Sequence, residues 1–131
     1  MITEDYVSFE TAKLLKEKGF DARCPMIYTA DGEMLYTDVK HHNMYAVTNK
    51  QLEYYTDIIA PTLQMARRWL MAIHNLFITF ELDFSDGAYP MFDAVVYNLA
   101  TCEKYPIINY DRYSYIKGTE AAIKYCLENL I

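Results

Sequence analysis

Apolar side chains recur every three or four residues in three stretches of this chain and every second residue in one, a pattern that predicts three helices and one half-buried strand. The first helix is expected over residues 9–18, with Phe9, Ala12 and Leu15 on one side and Lys13, Lys16, Glu17 and Lys18 toward water. Ser8 suits the N-cap, Val7 can staple against Ala12, and Gly19 follows the last turn, where a Schellman cap would press Phe20 onto Leu15.

Met26 to Tyr36 holds two short β-prone runs around Ala30-Asp31-Gly32-Glu33, and Asp-Gly supplies the positive backbone angles of a tight hairpin. From Thr37 to Ala60 neither period is sustained, and His41, His42, Asn43, Asn49 and Lys50 mix with isolated Tyr45, Tyr54 and Tyr55. A long, partly ordered connection is expected there, functional or concealing a further element.

The second helix is placed from Pro61, an N1-type proline, to a stop at Asn75, with Leu63, Ala66, Trp69, Leu70 and Ile73 inward and Gln64, Arg67 and Arg68 outward. The period then switches to two: Leu76, Ile78, Phe80, Leu82 and Phe84 form the core face of a strand, against Phe77, Thr79, Glu81 and Asp83. Ser85-Asp86-Gly87 reads as a turn into an antiparallel strand near Tyr89 to Tyr97, where Pro90 argues for an edge or a late start, and Tyr105 to Tyr110 supplies one more strand, weakened by Pro106. Ser114 caps a last helix whose stripe is Ile116, Thr119, Ala122, Ile123, Cys126, Leu127 and Leu130. Gly118 in that helix costs about 1 kcal/mol relative to alanine. The expected fold is α+β, an antiparallel sheet with N-terminal, middle and C-terminal helices in the order α-β-β-loop-α-β-β-(β)-α, as a single domain over residues 1–131.

The 131 residues include 53% hydrophobic and 15% aromatic side chains, enough to bury a core and to argue against disorder. Twelve basic against eighteen acidic residues give a net charge of -6, which repels nucleic-acid and lipid phosphates. Cys24, Cys102 and Cys126 are an odd set without CxxC spacing, the first residues lack a signal pattern, and the longest apolar run, Leu76 to Phe84, is interrupted by Thr79, Glu81 and Asp83. A cytoplasmic protein that neither spans nor binds a membrane is expected.

Candidate chemistry is sparse. Glu81 and Asp83 share a strand face, but both should be wet, and an acid/base pair needs one of them desolvated. Adjacent His41 and His42 point apart in an extended segment, and His74 suits the negative end of a helix dipole. Cys126 reads as a core residue, and Cys24, in a turn before Pro25, has no histidine beside it in sequence. No catalytic residue, metal or cofactor is therefore expected.

Tyrosine does rise above background. There are thirteen, and Tyr45, Tyr54, Tyr55, Tyr105, Tyr110 and Tyr113 are candidates for a protein interface, with Tyr115 near them in sequence. The alternative is that they lid the core of a small domain.

The segments YVSFETAKLLKEKGFD at 6–21, APTLQMARRWLMAIHNLFI at 60–78 and EAAIKYCLENLI at 120–131 resemble a family of small uncharacterised proteins from gut anaerobic bacteria and their phages or mobile elements. That resemblance implies a setting and no activity. The α-β-β-β-α order from Pro61 onward is similar to the double-stranded RNA-binding domain, which needs basic residues that the final helix, opening Tyr115-Ile116-Lys117, supplies once. A non-enzymatic accessory protein that binds a protein partner, or itself, through its tyrosine-bearing loops and residues 37–60 is the leading expectation. The alternatives are nucleic-acid association through Arg67, Arg68 and Lys117, and a small hydrolase or metal protein using His41 and His42.

Overall fold

The structure is a computed structural model in which residues 5–41 and 44–131 are described. Contacts divide the chain into two compact units, Met1–Thr62 and Leu63–Ile131. The class is mixed α+β and the element order broadly follows the expected one, but the strands are shared between two three-stranded antiparallel sheets instead of one.

In the first unit, α1 (Phe9–Glu17) begins with Ser8 Oγ accepting from the Thr11 N–H at 3.2 Å. It ends with Gly19 at φ 89°, Phe20 N–H donating to the Leu15 carbonyl and Gly19 N–H to that of Lys16, the bond pair of a Schellman cap. Val7, Ala12, Leu15 and Phe20 are all buried. β1 (Met26–Tyr28) and β2 (Met34–Tyr36) form the hairpin. In its turn Gly32 has positive φ and Asp31 does not, and Thr29 N–H reaches the Glu33 carbonyl. The loop is thus the longer kind with one glycine in the left-handed region, not a two-residue Asp-Gly turn.

The connection 37–60 conceals structure. Thr37–Lys40 form one helical turn, α2, and Ile58–Ile59 form β3, which pairs antiparallel with β1 to give the order β2-β1-β3. Cys24 pairs with Val47, so it is fully buried rather than in an open turn. Buried Asn49 donates to the Phe20 carbonyl at 3.0 Å and accepts from the Ile59 N–H at 3.1 Å. Pro61 lies outside a helix: its carbonyl accepts from Val7 N–H, and Thr62 bridges to Tyr6, which holds this stretch extended.

The second unit runs α3 (Leu63–His74), β4 (Leu76–Asp83), β5 (Met91–Asn98), β6 (Lys104–Pro106) and α4 (Tyr115–Tyr125), which passes into a π-helical turn, Cys126–Leu130. Leu63, Ala66 and Leu70 are the buried stripe of α3. At about 100° per residue, Ile73 falls roughly 60° to one side of Leu70 and Arg67 roughly 60° to the other. Ile73 is exposed, whereas Arg67 turns inward, donating from Nη1 to the Tyr115 hydroxyl and from Nη2 to the Ile78 carbonyl, each at 2.7 Å. Both fates reverse the expectation. Asn75 closes α3 at φ 58°.

β4 and β5 pair from Leu76↔Asn98 to Asp83↔Met91, and β6 adds to β5, giving the order β4-β5-β6. Pro90 precedes β5 and Pro106 ends β6, positions where a missing N–H breaks no central ladder. Beyond β6 the Tyr110 side chain takes over, its hydroxyl accepting from Ala94 N–H at 2.6 Å and donating to the Phe92 carbonyl at 2.7 Å. The alternation of β4 holds at Leu76 and Ile78, but Leu82 and Phe84 are exposed. The first turn of α4 reaches only as far as Phe80 and Phe92, through the Tyr115 ring at 4.7 and 6.0 Å, and Ile116 is itself exposed. No helix among the described residues is long and apolar enough to cross a membrane.

Candidate binding surface

Strand alternation puts Glu81, Asp83 and Asp93 on the outer face of the second unit's sheet, and each has a cation. Lys104 Nζ lies 3.0 Å from Glu81, while Arg112 reaches Asp93 through Nε at 2.6 Å and Nη2 at 2.9 Å and Asp83 through Nη2 at 3.0 Å. Hydrogen bonds from Ser85 and then Arg112 hold the Asp83 carboxyl below its usual range, and Asp93 and Asp83 raise Arg112. A cavity of ≈ 440 Å³ lies over Glu81, Asp93, Lys104, Pro106, Tyr110 and Arg112. Its two signs of charge neutralise each other in place.

In the first unit, His41 Nε2–H donates to Asp57 Oδ2 at 2.9 Å, and Lys40 Nζ donates to Oδ1 at 2.7 Å. Asp57 is fully buried. Burial alone would raise its carboxyl, but the two hydrogen bonds and their charges win and hold it low. The Tyr55 ring meets His41 edge-on at 4.8 Å. Sequence reasoning missed this cluster; its one trace is an acid opening the apolar run Ile58-Ile59-Ala60. His42 lies outside the described residues. His74 packs on Trp69 at 4.7 Å, and its Nε2 is buried without a hydrogen-bond partner among the described residues. Burial pushes the Cys24 and Cys126 thiols up to about 12, while Cys102 is exposed in the turn between β5 and β6. Among the described residues, no three His, Cys, Asp or Glu side chains converge as metal ligands.

The six candidate tyrosines divide between the units. Tyr45 and Tyr54 are 81% and 91% exposed, and Tyr55 and Tyr113 about half. Tyr105 is half-buried, with its hydroxyl on Glu103 at 2.9 Å, and Tyr110 is held against β5. Of the basic residues weighed for phosphate, Arg67 is engaged within the second unit, and Arg68 and Lys117 are exposed.

In the second unit, uncovered apolar side chains gather around the β4–β5 turn. An open cleft of ≈ 340 Å³ is lined by Asp86, Tyr89, Pro90, Phe92 and Tyr113. Leu82 pairs with Phe92 across the ladder, and Phe84 follows the end of β4. Burial, then the Asp86 carboxylate, raise the Tyr113 phenol. The alternation pattern assigns Phe84 and Tyr89 to strands, although their position on either side of Ser85-Asp86-Gly87 already places them at a turn. No family model, curated protein or solved structure matches this chain.

Proposed function

We propose that this chain is a protein-binding module whose recognition surface is the turn end of the β4–β5 hairpin. The observation that carries the reading is that Leu82, Phe84, Tyr89 and Tyr113 are each more than half exposed around Phe92, in one region of one unit. Isolated exposed apolar residues are ordinary, but rings gathered around a cleft are what an interface covers. Phenylalanine and tyrosine bring large contact area with few rotatable bonds, and the paired charges on the adjacent sheet face supply a polar rim.

The test is site-specific photocrosslinking in cells of the natural source, with a benzophenone amino acid at position 84, 89 or 113 and at position 17 on exposed α1 as control. One discrete partner captured from the three hairpin-end positions and not from position 17 is expected. Capture of a second copy from those positions identifies self-association through the same surface. Equal capture from all four positions, or none from the hairpin end, overturns the reading.

A further inference from the structure

We infer that the cleft between Tyr89 and Tyr113 receives a basic side chain, arginine or lysine, carried on an extended segment of a protein partner. The inference rests on the protein-binding reading and adds the chemistry of what is bound. Its central observation is Asp86. Glu81, Asp83 and Asp93 each have a cation within 3.0 Å, whereas Asp86, exposed at the cleft, is hydrogen-bonded by the Tyr113 side chain and has no ion-pair partner among the described residues.

Arg112, the nearest guanidinium in sequence to Tyr113, is bound through Nε and Nη2 by Asp93 and Asp83. Asp111 adds a further carboxylate, its Oδ1 accepting from Tyr113 N–H at 3.1 Å. Asp83, Asp86, Asp93 and Asp111 thus outnumber Arg112, the cation that pairs with two of them, and the local field attracts cations. The chain as a whole carries a net charge of -6, which disfavours a second copy and favours a basic segment.

The other lining residues select the kind of cation. Hard ions such as Ca²⁺ take six to eight oxygen ligands, and this cleft offers one carboxylate among hydrocarbon and rings. A guanidinium or ammonium is an organic cation on an aliphatic stem. Its stem can lie on Pro90 and Phe92, its charge gains from tyrosine rings, and its N–H groups can donate to Asp86.

The experiment titrates the full chain with acetyl-Gly-Arg-Gly-amide, the lysine analogue and the uncharged norleucine analogue, following the backbone amides of Asp86, Gly87, Tyr89, Phe92 and Tyr113 by NMR. The arginine and lysine peptides are expected to saturate these amides in the millimolar range, about tenfold more tightly than norleucine. Asp86→Asn, a change at an exposed turn, should weaken the arginine peptide about fivefold and leave norleucine unchanged. Equal binding of norleucine and arginine, an unaffected Asn variant, or shifts confined to other amides overturns the inference. Persisting photocrosslinks at 84, 89 and 113 in that event leave the interface standing and remove only the cation, whereas loss of the crosslinks removes the interface itself.

Discussion

Gly118 shows how one residue is decided by what lies across from it. In an exposed helix, alanine would add about 1 kcal/mol over glycine. Here a Cβ would lie 2.8 Å from Phe80 Cε1 and 3.1 Å from Tyr110 Cε2. The Phe80 ring is set between Phe92 and Tyr115, and Tyr110 is anchored to β5 by its hydroxyl, so neither ring yields freely. Overpacking a core costs about 1–3 kcal/mol, which exceeds the gain in propensity. Gly118→Ala should therefore lower stability by about 1 kcal/mol, read as a lower urea midpoint at unchanged slope. A higher midpoint would mean that Phe80 swings clear.

Elements in the first unit are joined by single polar side chains. Asn49 links the chain just past the cap of α1 to β3, and replacing it by alanine removes the acceptor of the buried Ile59 N–H and a donor to the Phe20 carbonyl. A buried N–H left without its acceptor costs about 1–3 kcal/mol, so Asn49→Ala should lose about that much, with hydrogen exchange at Ile59 accelerating before that in α1. This joint also explains what was legible. The limits of α1 were readable because Ser8, Val7, Gly19 and Phe20 act within a few residues of it, and the first half of β4 because Leu76 and Ile78 alternate over one interior. β3 was not, since a two-residue strand has no period and exists only through pairing with β1. Arg67 and Asp57 were misjudged or missed for a related reason. Their charges are met by Tyr115, 48 residues away, and by Lys40 and His41, 17 and 16 residues away, distances at which local pattern is silent. The proposed surface was half legible: Tyr113 stands among the candidate tyrosines, while the alternation puts Phe84 on a core face whose cover ends at Phe80, four residues short of it.

Over the whole molecule, two electrostatic effects oppose each other as pH falls. Between pH 7 and the isoelectric point near 4.9 the net charge of -6 is titrated away, which relieves self-repulsion and holds stability level or raises it slightly. Asp57 acts lower. Its folded carboxyl is held below the value of about 3.9 that an unfolded aspartate has, so its contribution is complete above that value and is lost as pH falls through the folded one. Asp83 is shifted the same way, but Arg112 meets it at an exposed site, where screening leaves little effect. Stability should thus fall steeply only below about pH 4. Asp57→Asn should remove about 2–3 kcal/mol at pH 7, below the full value of a broken buried pair because Lys40 keeps 42% of its side chain in water. Below the folded pKa, where the parent has protonated Asp57 as well, the two proteins should converge. Urea midpoints from pH 7 to pH 2.5 check this, and parallel curves with a constant gap would show that the acid sensitivity arises somewhere other than the Lys40–His41–Asp57 cluster.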